Sequence, residues 1–430
     1  MVSESDEIVR KAREVLRQAP LCDRCLGRLF ASYGIGLTNP ERGKALKTLV
    51  LMELHREISA GRKDSIEELK IIAENGGPMF KELVSKYVAE PVFKKCSICG
   101  GRLDSLIGEL AVKAVRELEG VEYSSFIVGV RKGSRIESAE EALASSLGIT
   151  SWESVRREVK REVGKKIQFF TGRKPDFRSP EVVITIDLDR EEVFVQPMPV
   201  FYIGSYVKLG RNISQMRWVG RGGRRNYPFS VEESLTKTVP VFEGDSLTFH
   251  ASGREDADAR MLGDGRPLII EVKNPRKRNV PIPALEKAGS TPPWVYVRLK
   301  GRVRREDVTR VKSSTPRKLY LLILYSPEGF TQEDVKKVEE FFRDITIRQK
   351  TPERVLRRRA DIVRERKVYS VKGRILGRHT AEFMVMCDGG LYVKELAHGD
   401  KGRTDPSFSS LLGKEISVLF LDVLEHESVL

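Results

Sequence analysis

The sequence predicts an α+β protein: a large central mixed or antiparallel sheet in the C-terminal half, preceded by a metal-binding helical part and a small α/β module. Three observations predict it. Helical periodicity fills residues 5–90, strand-like apolar runs crowd the chain beyond residue 260, and between them helical patterns at 137–167 give way to two short alternating strands. A chain of 430 residues suggests two or three domains, and the pattern changes place them at 1–101, 102–210 and 211–430.

Ile8, Ala12, Val15 and Leu16 lie on one face of a first helix, which delivers the chain to "LCDRCLGRLF". Helical patterns then run to about residue 90 and end at "KKCSICGG". The pairs Cys22/Cys25 and Cys96/Cys99 both have C-x-x-C spacing. Such a turn points two thiolates at one ion, and two of them complete a tetrahedral zinc site. A redox dithiol or two unrelated buried pairs are the alternatives, and the doubled spacing favours zinc. Four thiolates leave no open position, so the metal would be structural.

In the next segment "VVITIDL" and "EEVFVQP" read as a hairpin, and the segment closes on "PVFYIGSYVKLGRNISQ". Tyr202, Tyr206, Lys208 and Arg211 interleave aromatics with cations, as in a nucleic-acid groove or equally at a buried edge with snorkelling cations. "RNISQMRWVGRGGRRNY", 211–227, reads as a mobile phosphate-contacting segment or a solvated linker.

Beyond it come the strand-like runs "LIIEV", "WVYVRLK", "LYLLILY", "EFMVMC" and "ISVLFLDV". One clear helix sits at 331–345, capped by Thr331 with Asp334 three residues on. The segment 353–378 sets ten Lys or Arg against three acids. Strands make the sheet and the loops carry the charge.

The net charge is +15, with 40% hydrophobic and 32% charged residues. This composition excludes a disordered chain and points to a polyanionic partner. No apolar run approaches the roughly 18 residues of a spanning helix. The N-terminus lacks a signal-peptide core, so a cytoplasmic protein without membrane contact is expected.

The chemistry concentrates in "SGREDADARMLGDGRPLIIEVKNPR", 252–276. A metal-dependent RNA nuclease would hold magnesium between Asp258 and Glu271, with Lys273 on the phosphate. A single nucleophilic or basic carboxylate is the second reading, with Asp256 kept ionised by Arg254 and Arg260. A salt-bridged surface loop in a non-catalytic RNA-binding protein is the third.

These strings, with "CDRCLGRLF", "CSICGG", "QKTPERVLRRR" and "AHGDKGRTDPSFSSLLG", resemble the tRNA pseudouridine synthases of the archaeal and eukaryotic Pus-ten family over nearly the whole chain. The resemblance implies a pseudouridine synthase catalytic domain over 211–430, a THUMP-like RNA-binding module over 102–210 and a zinc at Cys22, Cys25, Cys96 and Cys99. It implies isomerisation of uridine 55, and also 54, in the TΨC loop of tRNA, without organic cofactor or catalytic metal; a monomer is expected. Residue by residue, Asp256 matches the catalytic aspartate of the family's G-R-x-D loop, with Asp258 structural. Tyr320 matches the base-stacking aromatic, with Tyr325 as rival on the opposite strand face. Lys394 matches the basic partner of the aspartate, and Leu421 the apolar residue under the tyrosine. The extruded base costs a few kcal/mol. Arg254, Arg276, Lys277, Arg278, Arg357, Arg358 and Arg359 are expected to offset this by holding the RNA backbone.

Overall fold

The early helical periodicity is realised as helices Glu4–Gln18, Asp23–Leu29, Asn39–Ser59 and Asp64–Gly76 in a computed structural model that describes residues 4–150, 152–220, 223–313, 316–356 and 359–426. Thr38 and Glu41 form a reciprocal capping box at the third helix. Gly27 and Gly43 let the second and third helices touch. A Cβ on Gly27 would stand 1.8 Å from the Asn39 carbonyl oxygen, and one on Gly43 1.8 Å from that of Asp23.

After Cys99 come helices Leu103–Glu117, Arg135–Ser146 and Val155–Thr171 and strands β1 (Ser125–Val130), β2 (Lys174–Pro175), β3 (Val182–Asp187) and β4 (Glu192–Pro197). Their order is β2-β1-β3-β4, with β1 parallel to β2 and β3, and β3–β4 the expected hairpin. The helical part and this module are not separate bodies. One hydrophobic core runs from Val9 through Cys25 and Cys99 to Ile184 and Leu188. Fully buried Arg28 also reaches from the first cysteine helix to Glu140 (2.5 Å) and Glu158 (3.0 Å). The first compact unit is therefore Met1–Met198, and the second Pro199–Leu430.

That division corrects the expected boundary at 210. Strand β5 (Val200–Lys208) is buried along nearly all its length and needs a neighbour on each side. It finds them in the second unit, between β9 (Arg260–Lys273) and β10 (Val295–Val303). The other strands of that unit are β6 (Ile213–Ser214), β7 (Phe229–Ser230), β8 (Ser246–Ala251), β11 (Lys318–Tyr325), β12 (Ile345–Lys350), β13 (Val363–Gly377), β14 (Thr380–Cys387), β15 (Thr404–Asp405) and β16 (Ser417–His426). Among the described residues ten of these form one sheet in the order β10-β5-β9-β16-β11-β14-β13-β12-β15, with β8 added on β9. Its pairs are antiparallel except β9–β16, which meet in parallel over Arg260–Met261 and Asp422–Val423. Two antiparallel lobes thus join at one short seam. Thr331 and Asp334 cap helix Gln332–Phe341 as expected.

Several surface expectations give way to burial. Tyr202, Tyr206 and Lys208 are core residues of β5 and line no groove. The segment 211–227 is no simple linker: β6 and β7 pair in parallel across it, and Trp218 stacks obliquely on Tyr227 with centroids 5.8 Å apart. Arg278 is buried, its carbonyl accepting the Tyr202 hydroxyl at 3.0 Å, whereas Arg276 and Lys277 are exposed. Arg357 and Arg358 lie outside the described residues. Among the described residues no helix is long and apolar enough to cross a membrane.

Candidate active site

The loop between β8 and β9 lies beside the seam. Gly253, at φ +76°, turns the chain out of β8 in the left-handed region that favours glycine. Glu255 then points inward. It is almost wholly buried, accepts the Arg266 Nε–H at 2.8 Å and the Tyr206 hydroxyl at 2.8 Å, and lies 3.5 Å from Lys208 Nζ. Burial alone would push its carboxyl up. Arg266, Lys208 and Tyr206 outweigh burial and hold it at about 2.

Lys208 has a second task, donating to the carbonyls of Ile213 (2.7 Å), Asp256 (3.1 Å) and Ala257 (3.3 Å). Arg211 donates to the Asp258 carbonyl at 2.7 Å and to Asp422 of β16 at 3.0 Å. The residues read as an RNA groove are thus the staples of the aspartate loop. Arg260, expected beside Asp256, turns instead to Asp422 at 2.6 Å, because the β9–β16 register sets those two residues side by side.

Asp256, about one-third exposed, faces a cleft of about 440 Å³ lined also by Tyr320, Leu421, Lys394 and Arg359. Tyr320 is buried on the core face of β11, while Tyr325 is exposed beside His379, so only the first reaches the cleft. Burial pushes the Tyr320 phenol above its ordinary value. Lys394 Nζ lies 3.4 Å from the Asp256 carboxylate but 2.8 Å from that of Asp258. Arg354 is nearer to Asp256, donating at 3.1 Å, and is itself held by nearly buried Glu395 at 2.6 Å. It was missed in the sequence although it lies inside "QKTPERVLRRR". The same string contributes buried Gln349, whose amide brackets the backbone of Tyr392 with bonds of 3.0 and 2.9 Å and so positions the turn before Lys394.

Arg254 is exposed and borders both this cleft and an adjoining one of about 880 Å³ that contains Trp218, Tyr227 and Asp258. Arg359 donates to the Tyr392 hydroxyl at 3.0 Å.

The nuclease arrangement is not assembled. Asp258 is engaged by Lys394, while Glu271 lies near the far end of β9 in contact with His250 at 2.8 Å. Lys273 is exposed at the end of that strand. Among the described residues one group of possible metal ligands converges: Cys22, Cys25, Cys96 and Cys99, in the first unit. The sulfurs of Cys22 and Cys25 stand 3.7 and 3.5 Å from that of Cys99. Four sulfurs at 2.3 Å around a tetrahedral zinc would be about 3.8 Å apart, so the donor set fits such an ion. Contact with the other three cysteines, then burial, pushes the Cys25 thiol far up. Four such sulfurs ionise together only around a cation.

Comparison with known proteins gives these sites a context. The family model described as "Pus10, C-terminal" matches residues 201–427, and "Pus10 THUMP domain, archaeal" matches 110–187. The tRNA pseudouridine synthase Pus10 of Ignisphaera aggregans is 42% identical, covering 98% of this chain and 100% of its own. That of Thermosphaera aggregans is 40% identical, covering 98% and 97%, and that of Aeropyrum pernix 39%, covering 98% of each. Matches of this extent span both units, the four cysteines and the aspartate loop, and the chain belongs to the Pus10 family of tRNA pseudouridine synthases, which are isomerases.

Proposed function

We propose that this enzyme isomerises uridine 55, and uridine 54 as well, in the TΨC loop of tRNA, with Asp256 as its catalytic residue. The observation that carries the assignment of Asp256 is its position: a carboxylate at the rim of a cleft, between Arg354 and Lys394 and opposite Tyr320 and Leu421. Isomerisation breaks the C1′–N1 bond, turns the base and rejoins it through C5. Asp256 serves this as nucleophile at the sugar or the base, or as base at C2′. Arg354 and Lys394 keep it oriented and anionic. Tyr320 supports the extruded uracil by stacking, and Leu421 packs in the same cleft. Arg254, Arg276, Lys277 and Arg359 hold the RNA backbone. A zinc held by Cys22, Cys25, Cys96 and Cys99 supplies no chemistry to the uridine and braces the first unit. The tRNA substrate favours a cytoplasmic setting, and the reading is of a monomer.

The test is tritium release from an unmodified tRNA transcript labelled at C5 of uridine, with Asp256→Ala alongside and the modified position mapped. Release by the wild type from positions 55 and 54, absent in the variant, is expected. Release by Asp256→Ala, or RNA shortening that requires magnesium, would overturn the assignment.

A further inference from the structure

Lys318 opens β11 two residues before Tyr320 and so shares its face. It lines the Asp256 cleft, is only 7% exposed, and its Nζ has no hydrogen bond or ion pair among the described residues. Three other cations of the cleft have carboxylate partners: Arg266 has Glu255, Arg354 has Glu395 and Asp256, and Lys394 has Asp258, whereas Arg254 is exposed and Arg359 donates to the Tyr392 hydroxyl. A Cβ on Gly253 would stand 3.4 Å from both Lys318 Nζ and Arg266 Nη1, so the two cations lie together beneath the turn into the aspartate loop.

Among the described residues Lys318 has no counter-ion in contact, and Glu255, already paired with Arg266, acts on it only at longer range. In register across the sheet stand Cys387 on β14 and His426 on β16. From β9 comes Arg266, already paired with Glu255. Burial, then Arg266, depress the ammonium to about 7. A largely buried cation without a counter-ion is unfavourable for folding, and groups perturbed in this way cluster in functional clefts.

The reaction creates such a want. When uracil leaves C1′, both electrons of the C1′–N1 bond go to the ring and spread over its carbonyl oxygens. When a nucleophile adds at C6 instead, the electrons gather on O4. On either route a neutral base becomes anionic inside the cleft.

We propose that Lys318, as its ammonium, is a second catalytic residue, donating a hydrogen bond to the uracil carbonyl oxygen on which this negative charge collects. The inference rests on the Asp256 reading. Lys318 keeps its proton throughout. The electron pair is used again when C5 bonds to C1′, the C5 proton leaves, and N1 takes one up. Placed at O4, the ammonium also opposes cytosine, whose 4-amino group would meet it donor to donor.

The test is single-turnover tritium release from the C5-labelled transcript between pH 5.5 and 9, for wild type, Lys318→Met, Lys318→Arg and Asp256→Ala, with tRNA affinity measured for each. The charge on Lys318 is present below about 7 and lost as pH rises through that value, so the wild-type rate should fall on the alkaline side. Lys318→Met should lose about 100- to 1,000-fold in rate with affinity unchanged. Lys318→Arg should keep most of the rate and lose the alkaline fall. Lys318→Met within threefold of wild type, or Arg no better than Met, overturns the inference. An active Asp256→Ala overturns the parent reading. An inactive one beside a fully active Lys318→Met overturns the inference alone.

Discussion

Replacing Glu255 by Gln removes one charge from beneath the aspartate loop while keeping shape and a hydrogen-bond acceptor for Tyr206. Arg266 and Lys208, both essentially without solvent, then have no carboxylate between them. Two routes give the size of the loss. The Glu255 carboxyl is held at about 2 against an ordinary 4.5, and at 1.36 kcal/mol per pKa this difference is about 3 kcal/mol. Breaking a buried ion pair from one side costs about 3–5 kcal/mol. For a unit of this size 1 kcal/mol moves melting by about 2–4 °C, so the second unit's transition should fall by at least about 6 °C at pH 7. Because the folded-state pKa is depressed, this stability is present above about 4.5 and is lost as pH falls toward 2. Calorimetry from pH 7 to 2.5 reads both effects. The wild-type advantage over Glu255→Gln should shrink through that acid window. A variant melting within 2 °C of wild type at pH 7, with the same acid profile, would refute the claim that Glu255 holds the two cations.

Two further outcomes test the remaining sites. The purified protein should carry one zinc per chain by elemental analysis; Cys22→Ser should lose it, lower the melting of the first unit and weaken tRNA binding more than the rate of bound tRNA. An unchanged metal content, or unchanged melting and affinity, would count against the four-sulfur site. Arg354→Gln deletes the nearer of the two cations at Asp256 and should slow single-turnover isomerisation by about 10- to 100-fold, the worth of a charge-assisted hydrogen bond. A wild-type rate in that variant would leave Lys394 as sole partner.

Much of this site is readable one residue at a time. Asp256 stands in a long, distinctive string, whereas Tyr320, Lys394 and Leu421 are matched on short strings by family resemblance, and all four line one cleft. The cysteine pairs announce themselves by spacing, and their sulfurs do converge. Thr331 and Asp334 needed only local chemistry to mark a helix start, because a cap is closed within four residues.

Where a reading depended on which side of a surface a residue occupies, sequence was insufficient. Tyr206 and Lys208 have the composition of an RNA groove, yet β5 is inserted between β9 and β10, and that pairing buries them under Glu255. Arg354 lies 98 positions from Asp256 and meets it through the fold, its guanidinium held at the same time by Glu395.

The sequence alone determined the secondary-structure classes, the four cysteines that could hold a metal and the candidate carboxylate, since each is expressed in local spacing or in a single distinctive string. Tertiary structure alone decided the partition at residue 198, the partner of Asp256, the role of β5 and the isolation of Lys318. Those depend on pairings between distant strands, and a one-dimensional pattern does not record which charge ends up facing which.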